Sequence, residues 1–211
     1  MQPKEETRHN AILLLGPTGS GKTPLGQLLE RRGLWGLRCL HFDFGYELRQ
    51  SIREDSQVLT ATERELVARM LRTGALLEDE YFPVAFKIFQ GFLTSHNADR
   101  RMLIVLNGLP RHTGQAEHMK EVVRMQAVIS LECTPEAVMQ RINTDAGGDR
   151  AGRIDDSLEE VQRKLELFRQ RTAPLVDYYK TRHGGIISIE VGATSSAADR
   201  LEKIEHWQHG G

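Results

Sequence analysis

The run Gly16-Pro17-Thr18-Gly19-Ser20-Gly21-Lys22-Thr23 has residue types and spacing suited to one kind of chemistry. It fills the pattern G-x-x-x-x-G-K-[ST] without a mismatch, directly after an apolar run at residues 11–15. Glycines here let the backbone curl until successive N–H groups face one centre, and the positive end of a helix starting near Lys22 adds to that field. Such a cradle holds the phosphates of a nucleoside triphosphate. Lys22 is placed to reach the β- and γ-phosphates, and the Thr23 hydroxyl to ligate Mg²⁺. Four fixed positions match by chance in a chain of this length on the order of once in a hundred sequences. The flanking strand and helix make chance rarer still.

These residues need a scaffold, and short apolar runs alternating with helical stretches supply one. Residues 11–15, 37–42, 102–106, 127–131 and 185–191 read as buried strands. The helical pattern falls at about 22–32, 44–54, 60–72, 80–95, 115–124, 135–143, 157–180 and 197–207. Ser157 with Glu160 reads as a capping box, and Gly33 and Gly74 as helix ends. Strands alternating with helices predict an α/β fold, a five-stranded parallel sheet of the P-loop NTPase type with helices on both faces. About sixty residues separate the second and third strands, several times one crossover, so an extra helical unit is inserted beside the triphosphate site. Residues 143–153, polar and glycine-rich with Arg141, Arg150 and Arg153 in or beside them, read as a mobile flap or as a plain surface loop.

Composition narrows the function class. With 211 residues and 39% hydrophobic content, the chain makes one domain with insertions. Its 28 Lys and Arg against 29 Asp and Glu offer no global attraction to nucleic acid or anionic lipid. The first ten residues lack an apolar core, and no later run reaches the ~18 apolar residues of a spanning helix. A soluble, cytoplasmic monomer with a small-molecule substrate is expected. Cys39 and Cys133, without C-x-x-C spacing, read as reduced buried thiols.

The segment from Asn107 to Glu117, N-G-L-P-R-H-T-G-Q-A-E, is similar to the D-G-F-P-R-t-x-x-Q-A-e segment of the adenylate kinase family, nucleoside monophosphate kinases. Phe44-Gly45-Tyr46-Glu47-Leu48-Arg49 resembles its T-G-D-x-L-R turn, and residues 73–79 its G-x-L-V-x-D segment with Leu76 and Leu77. Arg153-Ile154-Asp155-Asp156 matches its R-x-D-D, and residues 172–179 its T-x-P-L-I-x-Y-Y. The resemblance covers nearly the whole chain. It implies a core at 10–43, 98–142 and 154–207, a monophosphate-binding insertion at 44–97 and a short lid at 143–153. The implied reaction moves the γ-phosphoryl group of ATP to a nucleoside monophosphate, AMP favoured. Arg111 and Arg49 would clamp the acceptor phosphate, Gln115 would bond its base, and Phe44, Gly45, Leu76, Leu77 and Gly108 would line its site. Arg141, Arg153 and Lys164 would join Lys22 and Arg111 around the transferring group. Physically this is apt, because phosphoryl transfer needs in-line positioning and charge neutralisation, and arginine forks bind phosphate oxygens in pairs.

The chain also departs from that pattern. Asn107 stands where the family has a magnesium-assisting aspartate, Tyr46 replaces another aspartate, and Phe44 replaces a threonine. Asp145 stands where a flap arginine is usual, and Lys164 where the following helix carries one. Asp43, at the expected end of the second strand, reads as a metal or proton-accepting carboxylate or as a helix N-cap. A kinase of another small acceptor using Asp43 as base, or a nucleotide-binding regulator with weak turnover, are the remaining alternatives.

Overall fold

Alternate residues of each apolar run face opposite sides of one sheet, and helices cover both. The computed structural model describes residues 8–148, 157–183 and 185–207. Strands β1 (His9–Leu15), β2 (Cys39–Asp43), β3 (Leu103–Asn107), β4 (Val123–Glu132) and β5 (Ile186–Glu190) pair in parallel in the order β2-β3-β1-β4-β5. Ile12 and Leu14 join the layer of Leu25, Leu29, Leu201 and Ile204, on α1 (Lys22–Arg32) and α9 (Ala197–Glu205). Ala11, Leu13 and Leu15 face the other layer, built from α3 (Ala61–Thr73), α4 (Phe82–Ser95), α5 (Thr113–Met119) and α8 (Leu175–His183). Burial on both faces is why these strands read as unbroken apolar runs.

From β1 the chain passes to the β3 and β2 side, then returns to β4 and β5 on the other. The carboxyl end of β1 is therefore the switch point where an α/β sheet opens its binding crevice. The extra helical unit is α2 (Phe44–Ser51), α3, a 3-10 turn at Asp79–Tyr81 and α4. It is anchored on β2 by Phe42, whose ring lies 5.0 Å from Phe89 and 5.1 Å from Phe92. α3 begins with a full capping box between Thr60 and Glu63 and stops at Gly74, in the left-handed region at φ 63°.

Two expected elements differ. The helix placed at 115–124 ends at Met119, because Val123 and Arg124 pair with His9 and Asn10 and lengthen β4 at its start. The helix placed at 157–180 is three pieces: α7 (Leu158–Leu167), a π turn at Phe168–Thr172, and α8. Pro174 has no N–H for the regular ladder, and the chain adjusts through a bond from Ala173 N–H to the Phe168 carbonyl at 2.8 Å. α6 (Pro135–Asn143) matches its expected bounds and is capped by Thr134.

Candidate active site

Residues 16–21 form an open loop between β1 and α1. Gly21 takes φ 83°, and a side chain there would collide with the Arg200 guanidinium packed behind it. The Lys22 ammonium donates to the carbonyls of Gly16 and Pro17, each at 2.7 Å, and so lies across its own loop. Phosphate oxygens are the natural replacements for those carbonyls. Arg200, buried on α9, donates to the Ser20 carbonyl at 2.7 Å. Carbonyls held from behind leave the loop N–H groups free to turn toward an anion.

Arg141 departs from its expected place at the transferring group. It is 2% exposed. Its Nε donates to the Gly19 carbonyl at 3.0 Å, and Nη1 to those of Gly192, Ala193 and Ser195 at 3.0, 3.2 and 2.9 Å. Four carbonyls claim its donors, making it a strut between the phosphate loop and the β5–α9 connection. Arg141→Met is expected to cost about 2–4 kcal/mol of stability, measured by urea denaturation, because those carbonyls lose a buried charged donor.

The register of β2 and β3 sets Asp43 opposite Asn107 at the carboxyl ends of the strands. One Asp43 oxygen, Oδ2, accepts from Thr23 Oγ1 at 2.8 Å and from Asn107 Nδ2 at 2.9 Å. The other, Oδ1, accepts the Tyr46 N–H at 3.0 Å and caps α2. Asp43 is thus a helix cap, and its second oxygen is held at the triphosphate loop. Asn107 Nδ2 also lies 3.2 Å from Thr23 Oγ1 and 3.4 Å from His41 Nε2. Burial lowers the pKa of His41, with Asp43 and Glu30 acting against it. A neutral imidazole keeps the Nε2 lone pair that the Asn107 amide requires.

Arg111 follows β3 and is open to the crevice, though surrounding protein lowers its pKa and the Asp43 charge counters this. Its guanidinium stays charged at any ordinary pH. Arg49 is exposed on α2, and its Nη1 and Asp43 Oδ1 both border the open face of Gly45. Phe44 corrects an expectation. At 3% exposure, with its ring 5.9 Å from that of Phe42, it belongs to the aromatic core and offers the crevice no side chain. Leu76 and Leu77 are likewise buried, and what Leu77 presents is its carbonyl, which accepts from Gln115 Nε2 at 2.7 Å. Gln115 Oε1 in turn accepts the Arg111 N–H at 2.8 Å. Gly108 sits between β3 and Arg111 at φ 86°.

The model of the family described as adenylate kinase matches residues 14–184. The chain belongs to the adenylate kinase family. An adenylate kinase of Synechococcus sp. (strain WH7803) is 32% identical over 198 residues, covering 90% of this chain and 96% of that protein. One of Prochlorococcus marinus (strain MIT 9211) is 31% identical over 176 residues, covering 81% and 83%. Among solved structures, a gluconokinase from Sinorhizobium meliloti 1021 superposes with a TM-score of 0.54 at 15% identity, covering 92% of this chain and 89% of that one. That likeness concerns the fold alone.

As a member of this family, the chain is an ATP-dependent nucleoside monophosphate kinase. At the β2 and β3 ends a carboxylate on β2 and an amide on β3 hold one another. Lys164 is half-buried on α7, beside Arg163, whose guanidinium bonds the Thr73 carbonyl and, at 2.7 Å, Glu160. Arg150 and Arg153, with the end of the expected lid, lie outside the described residues. Among those described, no helix is long and apolar enough to cross a membrane. Both cysteines are free thiols; burial pushes Cys39 up to about 12 and raises Cys133 as well. Sequence reasoning missed His41, His112 and Arg200, three residues whose partners are remote in the chain. A histidine or arginine beside a motif gives no local signal of such a partner.

Proposed function

We propose that the enzyme phosphorylates AMP from Mg²⁺-ATP, with the triphosphate on Gly16–Thr23 and the acceptor between Arg49, Arg111 and Gln115. The observation that carries the choice of base is the fixed amide of Gln115. Its oxygen takes the Arg111 N–H and one of its hydrogens goes to Leu77, and one lone pair and one N–H of this buried amide have no partner among the described residues. Adenine and cytosine present the complementary pair, an amino donor next to a ring nitrogen acceptor, which uracil and thymine lack, and similarity to proteins named adenylate kinase favours adenine of the two. The insertion at 44–97 would carry the acceptor and the lid at 143–153 would close on it.

In this reading Lys22 neutralises the transferring phosphate and Arg111 and Arg49 grip the acceptor phosphate, so that two anions meet in line. The donor set fits magnesium. Thr23 and Asp43 offer a hydroxyl and a carboxylate oxygen already in contact, and Mg²⁺ is commonly held by one or two such groups plus substrate phosphates. The ion would supply charge neutralisation between phosphate oxygens. Incubating ATP and Mg²⁺ with AMP, CMP, UMP, GMP or dTMP and following diphosphate formation tests the acceptor. AMP should give the highest kcat/KM, and a faster reaction with another base would refute the assignment. Arg111→Ala should raise the acceptor KM about 10- to 100-fold, the value of one or two charge-assisted bonds, while the ATP KM moves little.

A further inference from the structure

The acceptor-side insertion and the β3–α5 turn share the Leu77 carbonyl, and beside it Asp79 Oδ1 of the insertion lies 3.6 Å from His112 Nδ1. Leu77 O accepts from Gln115 Nε2 and also, at 3.1 Å, from His112 Nε2. Both side chains are buried. Because the Leu77 carbonyl can only accept, Nε2 of His112 carries a hydrogen, and in the neutral ring the lone pair belongs to Nδ1. The Gln115 N–H points at that nitrogen, 3.4 Å away, so the same imidazole caps α5. One ring therefore holds the backbone of the insertion with one nitrogen and the first turn of the helix bearing Gln115 with the other. A serine or threonine could cap this helix but is too short to reach Leu77.

Neighbouring contacts fasten the same junction. Arg171 forks onto Glu78 at 3.1 and 2.7 Å, and Thr172 Oγ1 donates to the Arg111 carbonyl at 2.8 Å. These hold the residues on either side, whereas His112, with Gln115 of the first turn, joins Leu77 itself to the start of α5.

We propose that His112 is a positioning residue for acceptor recognition, setting the Leu77 carbonyl and through it the orientation of the Gln115 amide. The inference rests on the acceptor reading of Gln115 given above. It makes acceptor affinity and base choice depend on the Nε2 donor, a group that touches neither ATP nor the transferring phosphate.

Two substitutions separate the two nitrogens. His112→Gln retains a donor at the Nε2 position but loses the cap; His112→Asn retains a capping acceptor but falls short of Leu77. Steady-state kinetics of both, with His112→Ala, should show the acceptor KM raised about tenfold or more in the Ala and Asn variants and largely restored in Gln. The ATP KM and the kcat at saturating acceptor should stay within about twofold, and the preference for AMP over CMP should narrow in Ala and Asn. An Asn variant that behaves as wild type, or losses that fall equally on ATP KM and kcat, would overturn the proposal. Thermal melts monitor folding, and if Ala fails to fold, the Gln and Asn pair decides. A wild-type enzyme inactive with every monophosphate would count against the acceptor reading; calorimetric binding of AMP to wild type and the Asn variant then decides the role of His112, and equal affinities would end it.

Discussion

Lys22→Ala is expected to lower kcat by about a thousandfold or more, some 4 kcal/mol of transition-state stabilisation, while the protein stays folded. The ammonium sits between the carbonyls of Gly16 and Pro17 at the mouth of the phosphate loop, so exchanging those neutral partners for phosphate oxygens costs little rearrangement. Few other groups can replace it. Arg141 and Arg200 are also cationic near the loop, but they are bonded to carbonyls behind it and cannot follow the phosphate. Removing Lys22 forfeits hydrogen bonds to two loop carbonyls and a long one to the Ser20 hydroxyl, about 1 kcal/mol net each, so the melting temperature should fall by no more than several degrees. Single-turnover rates with saturating ATP, together with a melting curve, check both halves. A mutant within tenfold of wild type would remove Lys22 from the transfer step.

Asp43→Asn should have the next largest effect, raising the Mg²⁺ needed for half-maximal rate by at least about tenfold and lowering kcat about a hundredfold. Asparagine is as good an N-cap as aspartate, so α2 keeps its start, while the charge is lost together with the oxygen that accepts from Thr23 and Asn107. The companion mutant, Asn107→Asp, restores the family's carboxylate but places it against Asp43, whose Oδ2 now lies 2.9 Å from the Asn107 amide nitrogen. Two carboxylates at that distance repel, and one of them is held protonated. No gain in magnesium affinity is then expected from Asn107→Asp alone. The double mutant, which exchanges the carboxylate and the amide between the strands, should recover part of what Asp43→Asn loses. Calorimetric titration of Mg²⁺ into the ATP-bound proteins reads the metal separately from turnover. A tighter metal in Asn107→Asp would show that the charge on β3 is missing rather than moved.

The sequence by itself determined the parts of this protein that depend on local chemistry. The phosphate loop is legible because glycine, lysine and threonine at fixed spacing answer to backbone geometry and charge, and the bounds of α1 and α6 were readable from their periodicity and end signals. The strand runs, and hence the parallel sheet, were legible because burial on both faces makes them continuously apolar. The rest required the tertiary structure, since it depends on which remote residues meet. β4 begins where β1 offers a partner, and the long helix breaks where Pro174 loses a hydrogen bond that periodicity does not record. The same limit applies in the site. Asp43 and Asn107 face each other only through the register of two strands about sixty residues apart, and Arg141 looks like a catalytic arginine until four carbonyls from two loops are seen around it. Phe44 likewise turns away from the crevice because the aromatic layer under α2 offers more burial than the solvent-facing side.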